Sequence, residues 1–390
     1  CNYGGRVTDD KDRRLLMCML TDFYTPKILE DSYRFSPSGK YYAPKHGMID
    51  SYMDFIKAMP FSEGPEVFGL HDNADITSAI AETSAMLATA LSLQPRAAGG
   101  AGKSWEATLT ELAVDIAGKL PELYDIEKVS VLFPVRFEES MNTVLVQELI
   151  RFNRLLGVVR ASLAEVQMAI KGLVVMSGDL EAMGNAMVQG RVPAMWSKVS
   201  YPSLKPLGSW VSDFVKRLAY LEKWTQEGKP RVFWVSGFFF TQSFLTGTRQ
   251  NYSRRHTIPI DLLGFDFRVL SPAEEGAIAD HPADGAYISG LFLEGARWDT
   301  AAAELRDSLP KVLYQQMPAI HMIPAKMSDI DDKAHIYDCP VYKTSERRGM
   351  LSTTGHSTNF VMMCRVPMAA EHTEKYWVKA GVAMLTQLDA

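Results

Sequence analysis

Residues 138–188, EESMNTVLVQELIRFNRLLGVVRASLAEVQMAIKGLVVMSGDLEAMGNAMV, carry the longest helical pattern in the chain. Run as one rod, such a stretch reaches about 75 Å at about 1.5 Å per residue, far beyond an ordinary globular helix. Gly157, Gly172, Gly178 and Gly184 are natural break points, so two or three consecutive helices fit the pattern as well as one. Arg151, Arg154 and Arg160 lie near Glu148 and Glu165, which reads as a solvated or partner-facing stripe.

Helical periodicity continues on both sides. After Asp9 and Asp10, residues Leu15, Leu16, Met19, Leu20 and Phe23 recur at helical spacing, and 48–60 places Ile49, Tyr52, Met53 and Ile56 on one face before Pro60. Residues 75–93 are again helical, with Asp75, Thr77 or Ser78 available as N-cap. A Gly/Ala-rich joint at 95–104 follows, and then Trp105, Leu109, Leu112, Ile116 and Leu120 share a face. One more amphipathic helix, 209–228, stops at Gly228. The prolines of 35–47 and 191–208 mark irregular connections.

From Arg231 onward the texture changes. Short aromatic and β-branched runs at 232–240, 265–270, 286–295, 318–324, 337–343, 359–366 and 378–388 are separated by Gly, Pro and Asp, with one helix at 241–254. Six or seven short strands at this spacing predict an antiparallel barrel or sandwich. The fold class is therefore α+β, a helical first half and a β-rich remainder, without the βαβ alternation of a Rossmann-type sheet.

Composition narrows the function. The 390 residues are 47% hydrophobic and 22% charged, with a net charge of -5, which suits a globular protein of two or three domains. That balance argues against a disordered chain and lacks the basic excess of a dedicated nucleic-acid binder. No apolar run reaches the roughly 18 residues of a membrane span. Cys1, Cys18, Cys339 and Cys364 are too scattered for a disulfide framework and suit a reducing compartment. The start at Cys1 reads as that of a piece cut from something larger.

The motifs that invite a chemical reading are weak. A phosphate-binding loop requires G-x-x-x-x-G-K-[ST] after a buried strand. Gly102, Lys103 and Ser104 end such a pattern, but Ala97 stands where its first glycine belongs, and a helix precedes it. His335 and Cys339 are four apart in a β-like context, which is not metal-site spacing. Ser352, Thr353, Thr354, His356 and Ser357 are rich in nucleophiles, yet lack the G-x-S-x-G elbow and read as a hydroxyl-rich turn. Glu138/Glu139, Glu274/Glu275 and Asp331/Asp332 read as capping or solvated charge. The aromatic run Phe233, Trp234, Phe238, Phe239 and Phe240 reads as core, and the methionines of 176–195 and 362–368 as adaptable packing. No catalytic, cofactor-binding or metal-ligating residue is assigned.

Several long strings resemble the C-terminal end of dynein heavy chains, closest to the axonemal ones. They are CNYGGRVTDDKDRRLL (1–16), PEVFGLHDNADIT (65–77), ESMNTVLVQELIRFNRLL (139–156), GRVPAMWSKVSYPSLKPLGSWVSDF (190–214), VFWVSGFFFTQSFLTGTRQNYSRRHTIPIDLLGFDF (232–267), DGAYISGLFLEGARWD (284–299) and CPVYKTSERRGMLSTTGHSTNFV (339–361). They occur in the family's order over nearly the whole chain.

That resemblance implies a lid of the sixth AAA+ module at 1–76, a helical part of the C-terminal domain at 77–229, and a β-barrel cap at 230–390. The family is a minus-end-directed, ATP-driven microtubule motor, and its axonemal branch works in cilia and flagella. Its ATP and Mg sites lie in earlier AAA+ modules, so the resemblance implies no cofactor here. The implied partners are the other AAA+ modules of the same heavy chain and, through the whole protein, intermediate and light chains and microtubules. Neither nucleic acid nor membrane is among them. The expected role is a non-catalytic brace that modulates the ring's force. The alternatives are a docking platform for other axonemal subunits, through 191–208 or the barrel's outer face, and an ATP-binding unit using Gly102, Lys103 and Ser104. A hydrolase built on Ser352 and His356 is the remaining enzymatic reading.

Overall fold

Capping side chains and apolar stripes set where the helices begin and what they bury. A computed structural model of the protein describes residues 5–36, 38–61, 63–93, 104–330, 335–350 and 358–389. The helical portion comprises α1 (Asp10–Phe23), α2 (Ile49–Ala58), α3 (Asn73–Leu93), α4 (Trp105–Lys119), α5 (Ile126–Leu132), α6 (Ser140–Ile170), α7 (Gly178–Val188), α8 (Ala194–Ser197) and α9 (Leu207–Glu227). Asp9 caps α1 by accepting from the Lys11 and Asp12 N–H groups at 2.8 and 3.3 Å. Ser104, Asp125 and Ser177 cap α4, α5 and α7 in the same way. The long helical pattern resolves into α6 and α7. The break falls at Gly172, whose φ of 72° lies where side chains are disfavoured.

The remainder interleaves strands with short helices: β1 (Val232–Trp234), α10 (Thr241–His256), β2 (Leu263–Val269), α11 (Pro272–Gly276), β3 (Ala286–Ser289), β4 (Phe292–Glu294), β5 (Arg297–Asp299), β6 (Glu304–Arg306), β7 (Tyr314–Gln316), β8 (Ile320–Lys326), β9 (Ile336–Tyr342), β10 (Phe360–Pro367), α12 (Glu374–Lys379) and β11 (Ala383–Leu385). They form a four-stranded sheet in the order β1-β3-β8-β2, a five-stranded sheet in the order β10-β9-β11-β4-β7, and the hairpin β5-β6. Among the described residues no ladder joins these sheets into a closed ring. The pairing is also mixed: β1 lies parallel to β3 and β11 parallel to β9, and the other pairs are antiparallel.

One apolar core runs through both portions, from Leu109 in α4 to Met384 in β11. Its densest part is aromatic. Phe152 of α6 stacks on Phe214 of α9 with centroids 6.3 Å apart and meets Phe239 edge-on at 5.5 Å. Phe233 and Phe238 both pack on Phe244 of α10, at 4.8 and 4.9 Å. These rings tie the helical portion to the first strand at its entry, where offset and edge contacts add to their buried area.

Several local boundaries differ from expectation. The helix expected at 75–93 begins at Asn73, so Asp75, Thr77 and Ser78 lie inside it rather than at its cap. The 232–240 run is strand only to Trp234 and then a 3-10 turn, Val235–Gly237. The run at 286–295 splits into β3 and β4 at Gly290 (φ 89°), where a Cβ would stand 2.4 Å from the Trp234 ring. The terminal run is helix α12 up to Lys379, then a turn through Gly381 (φ 71°), leaving three residues for β11.

Candidate functional site

The built polar features join parts of the molecule that are distant in sequence. Leu15 and Cys18 of α1 pack against the main core, and charged residues beside them hold the helix in place. Arg14 donates to the Asp338 carbonyl of β9 at 3.1 Å and to Glu374 Oε1 of α12 at 3.3 Å. Lys379 Nζ donates to Asp22 Oδ2 at 2.6 Å, and Lys11 Nζ stands 3.9 Å from the centre of the Phe360 ring. Asn73, at the start of α3, donates to the Leu309 and Val312 carbonyls, each at 3.0 Å, and accepts from the Lys311 N–H at 2.8 Å. Two N-terminal sections are thus fastened to the β-rich portion.

A cavity of about 230 Å³ lies beneath α1. Arg347 enters it from a left-handed backbone (φ 58°), donating to the Gly381 carbonyl at 2.7 Å and pairing with Glu294. Burial, then the neighbouring Asp9 carboxylate, push Asp12 above the usual aspartate value. Burial pushes the Tyr342 phenol up to about 12 and the Cys339 thiol likewise to about 12. A buried protonated thiol behaves as a small apolar group rather than a nucleophile.

The second anchorage is the seam between α6, α9 and residues 238–240. Glu148 is fully buried on α6. Its carboxylate accepts from the Phe239 N–H, from the Phe240 N–H at 3.1 Å and from Arg151 Nη1 at 3.1 Å. Burial raises its pKa, opposed by those donors. Across the seam, buried Arg217 of α9 donates to Asp213 at 2.6 Å and to the Phe238 carbonyl at 3.3 Å, while Tyr201 donates to Asp213 at 3.0 Å. The Arg217 guanidinium lies 3.9 Å from the Tyr201 ring centre. Residues 238–240 are therefore held through their backbone by one buried acid and one buried base. Glu148 is not part of a solvated stripe: Leu145, Leu149 and Phe152 are buried around it. An acid inside the apolar stripe of α6, three residues after Leu145 and four before Phe152, was the available signal. Arg160, by contrast, donates to the Leu120 and Pro121 carbonyls and to Glu122.

The other singled-out residues are dispersed. Gly102 and Lys103 lie outside the described residues, and the Ser104 hydroxyl accepts from the Ala107 N–H as the cap of α4. Before the loop stands helix α3, where a phosphate-binding loop needs a strand, and the Ser104 hydroxyl is committed to the cap of α4. Ser352, Thr353, Thr354, His356, Ser357, Asp331 and Asp332 lie outside the described residues. His335 adopts φ 63° and Cys339 is buried in β9. Among the described residues no three His, Cys, Asp or Glu side chains are grouped to hold a metal, and no helix is long and apolar enough to cross a membrane. Glu139 caps α6 by accepting from the Met141 N–H at 3.2 Å, and Glu274 completes a capping box with Ser271.

An α+β module whose buried charges fasten its own parts together is the class that fold and site define. The family model described as the AAA lid domain of the dynein heavy chain matches residues 1–74, and that of the C-terminal domain of the dynein heavy chain matches residues 80–386. Similar curated proteins include dynein axonemal heavy chain 3 of Homo sapiens, 54% identical over 389 residues, an alignment that takes in 100% of this sequence and 9% of that protein. Dynein axonemal heavy chain 12 of Mus musculus is 52% identical over 391 residues (100% and 12%), and dynein axonemal heavy chain 1 of Rattus norvegicus 48% over 389 (100% and 8%). This chain belongs to the dynein heavy chains. It spans a small part of the length of the relatives it matches.

Proposed function

We propose that the protein is the C-terminal segment of an axonemal dynein heavy chain and works as a non-catalytic brace for the motor's AAA+ ring. On this reading 1–76 is the lid of the sixth AAA+ module, 77–229 the helical part of the C-terminal domain, and 230–390 a barrel-like cap. ATP and Mg chemistry belong to other AAA+ modules of the same heavy chain. Microtubules and the intermediate and light chains are reached through the whole motor, in the axoneme of a cilium or flagellum.

One observation carries the reading. The apolar face of α2 and the segment after it, with Met48, Ile49, Met53, Ile56 and Phe61, is exposed, as are Ile80, Met86 and Leu87 of α3. Such an uncovered apolar surface marks a contact with another body. It sits on the same N-terminal segment that Arg14 and Lys379 fasten to the β-rich portion. A segment gripped on one side and sticky on the other transmits displacement between its two neighbours.

The test is removal of 230–390 from the full motor. Stall force or run length changes while ATP turnover by the ring persists. Measurable ATP hydrolysis by the 390-residue protein alone would sink the reading.

A further inference from the structure

Helices α6 and α10 pack antiparallel, with Gly247 set against α6, where a Cβ would stand 3.0 Å from Met141 Cε and 3.2 Å from Val144 Cγ2. On the outer side of that crossing they leave a groove of about 700 Å³. Its wall is unlike the core beneath it. Thr143 and Gln147 of α6 and Ser243 and Thr246 of α10 line it, and among the described residues their side chains make no hydrogen bond. Such hydroxyls and amides offer donors and acceptors at a spacing that suits an extended backbone.

Each end of the groove carries an exposed phenylalanine under an arginine. The Arg254 guanidinium lies 4.6 Å from the centre of the Phe137 ring, and that of Arg151 lies 5.1 Å from the centre of Phe240. Arg254 is held there by donating to the Phe137 carbonyl at 2.6 Å and Ser140 Oγ at 3.0 Å. Arg136 adds a second cation to the wall, exposed and with no side-chain partner among the described residues, while Arg151 stands outside it. The acids nearby do not cancel the charges of Arg136 and Arg254. Glu148 is paired with Arg151 at 3.1 Å and neutralises that cation, Glu139 is paired with Lys229 at 2.7 Å, and Glu138 stands outside the groove wall. From Ser140 to Arg151, α6 rises about 16 Å at about 1.5 Å per residue, the reach of about five extended residues at about 3.4 Å each.

We propose that this groove is a docking site for an acidic, aromatic-containing peptide segment of a partner polypeptide, bound extended between α6 and α10. Charge complementarity selects the class of partner. Two arginines, Arg136 and Arg254, on a wall otherwise neutral favour carboxylates, the four unpaired hydroxyl and amide side chains take up the peptide backbone, and the two exposed rings receive apolar side chains. A nucleic acid fits less well, because the protein has a net charge of -5 and these two cations mark one short groove rather than an extended basic face.

The site is separate from the apolar face of α2 and α3, so its failure leaves the bracing role untouched. The test is fluorescence anisotropy of a labelled octapeptide alternating Glu and Phe, titrated with the 390-residue protein at low salt. A Lys/Phe peptide of the same length and an RNA oligonucleotide of matched charge serve as controls. Saturable binding of the Glu/Phe peptide that weakens with salt is expected, and Arg136→Glu should lower its affinity about tenfold or more. Gln147→Trp, which fills the groove without changing charge, should do the same. An unchanged melting curve establishes that each variant folds; if one does not, the other decides. Absence of saturable binding, equal binding of the Lys/Phe peptide, equal competition by the RNA, or unchanged affinity in a folded variant overturns the proposal.

Discussion

Arg14 of α1 donates to the backbone carbonyl of Asp338 in β9 at 3.1 Å, across 324 residues of sequence. The acceptor is backbone, so it is set by the course of β9 rather than by the side chain at 338. Register in β9 is in turn fixed by β10, where Asp338 lies opposite Arg365 and Cys339 opposite Cys364. The position of the N-terminal helix is thereby tied to strand pairing in the five-stranded sheet.

That tie is expected to be local in its energetics. Arg14 and Lys379 are only partly buried, and ion pairs of this kind contribute about 0.5–1 kcal/mol each. The double variant Arg14→Ala/Lys379→Ala should speed amide hydrogen exchange in α1 several-fold and leave α6 unchanged. Equal acceleration in α1 and α6 would mean that the contacts hold up the whole fold rather than the helix alone.

Glu148 is expected to behave otherwise. Glu148→Ala strands the Phe239 and Phe240 N–H groups in the core and should cost about 2–4 kcal/mol, read from the urea midpoint. Glu148→Gln keeps the shape but sets an amide donor against one of those N–H groups, so a smaller loss is expected. The pH dependence follows from the sign of the shift. A folded pKa above 4.5 means that protonation favours the folded state, so this contribution is full below 4.5 and is lost as pH rises through the folded value. The Gln variant should lack that slope.

The sequence makes some of this architecture readable and hides the rest. Helical periodicity locates α1, α2, α4, α6, α7, α9 and α10 because one face of each repeats over several turns. The strands are harder: β4, β5, β6 and β7 are three residues each, too short for a period of two to register. The uncovered apolar face of α2 is legible in Ile49, Met53 and Ile56, but its exposure is not, since a sequence cannot say which faces find a partner within the same molecule. The anchorages are least legible. Nothing near Arg14 in sequence points to a carbonyl in β9, and Glu148 looks solvated until the apolar residues flanking it at helical spacing are weighed.

Two glycines should respond in opposite directions. Gly285 sits at φ 80°, and a Cβ there would stand 2.0 Å from the Met322 carbonyl oxygen of β8. Gly285→Ala combines left-handed strain with a clash against that backbone and is expected to cost more than about 2 kcal/mol. Gly157 lies inside α6, with nothing within 4 Å of its added Cβ. Gly157→Ala should stabilise by about 0.5–1 kcal/mol through the helix backbone alone. Thermal unfolding of the two variants side by side separates the effects, and a fall in melting temperature for Gly157→Ala would contradict the open environment at that site.

His321 of β8 gives the fold a slope near neutral pH. Its Nε2 lies 2.9 Å from the Asp284 carbonyl and its ring centre 4.9 Å from that of Tyr287. Burial holds its pKa below the ordinary 6.5. The hydrogen bond to the Asp284 carbonyl pulls it back up, the Arg268 guanidinium pushes it down, and the Asp284 carboxylate adds a weaker upward pull. The folded state thus accepts a proton less readily than the unfolded state. The neutral ring costs nothing above 6.5. As pH falls below that value the unfolded state gains the proton first, and folding stability declines until the folded ring is itself protonated. His321→Gln keeps a hydrogen-bond donor for the Asp284 carbonyl but cannot titrate. Between about pH 7.5 and 5.5 the parent protein should lose stability to urea, and the variant should lose less. Parallel slopes for the two would show that the decline arises elsewhere in the molecule.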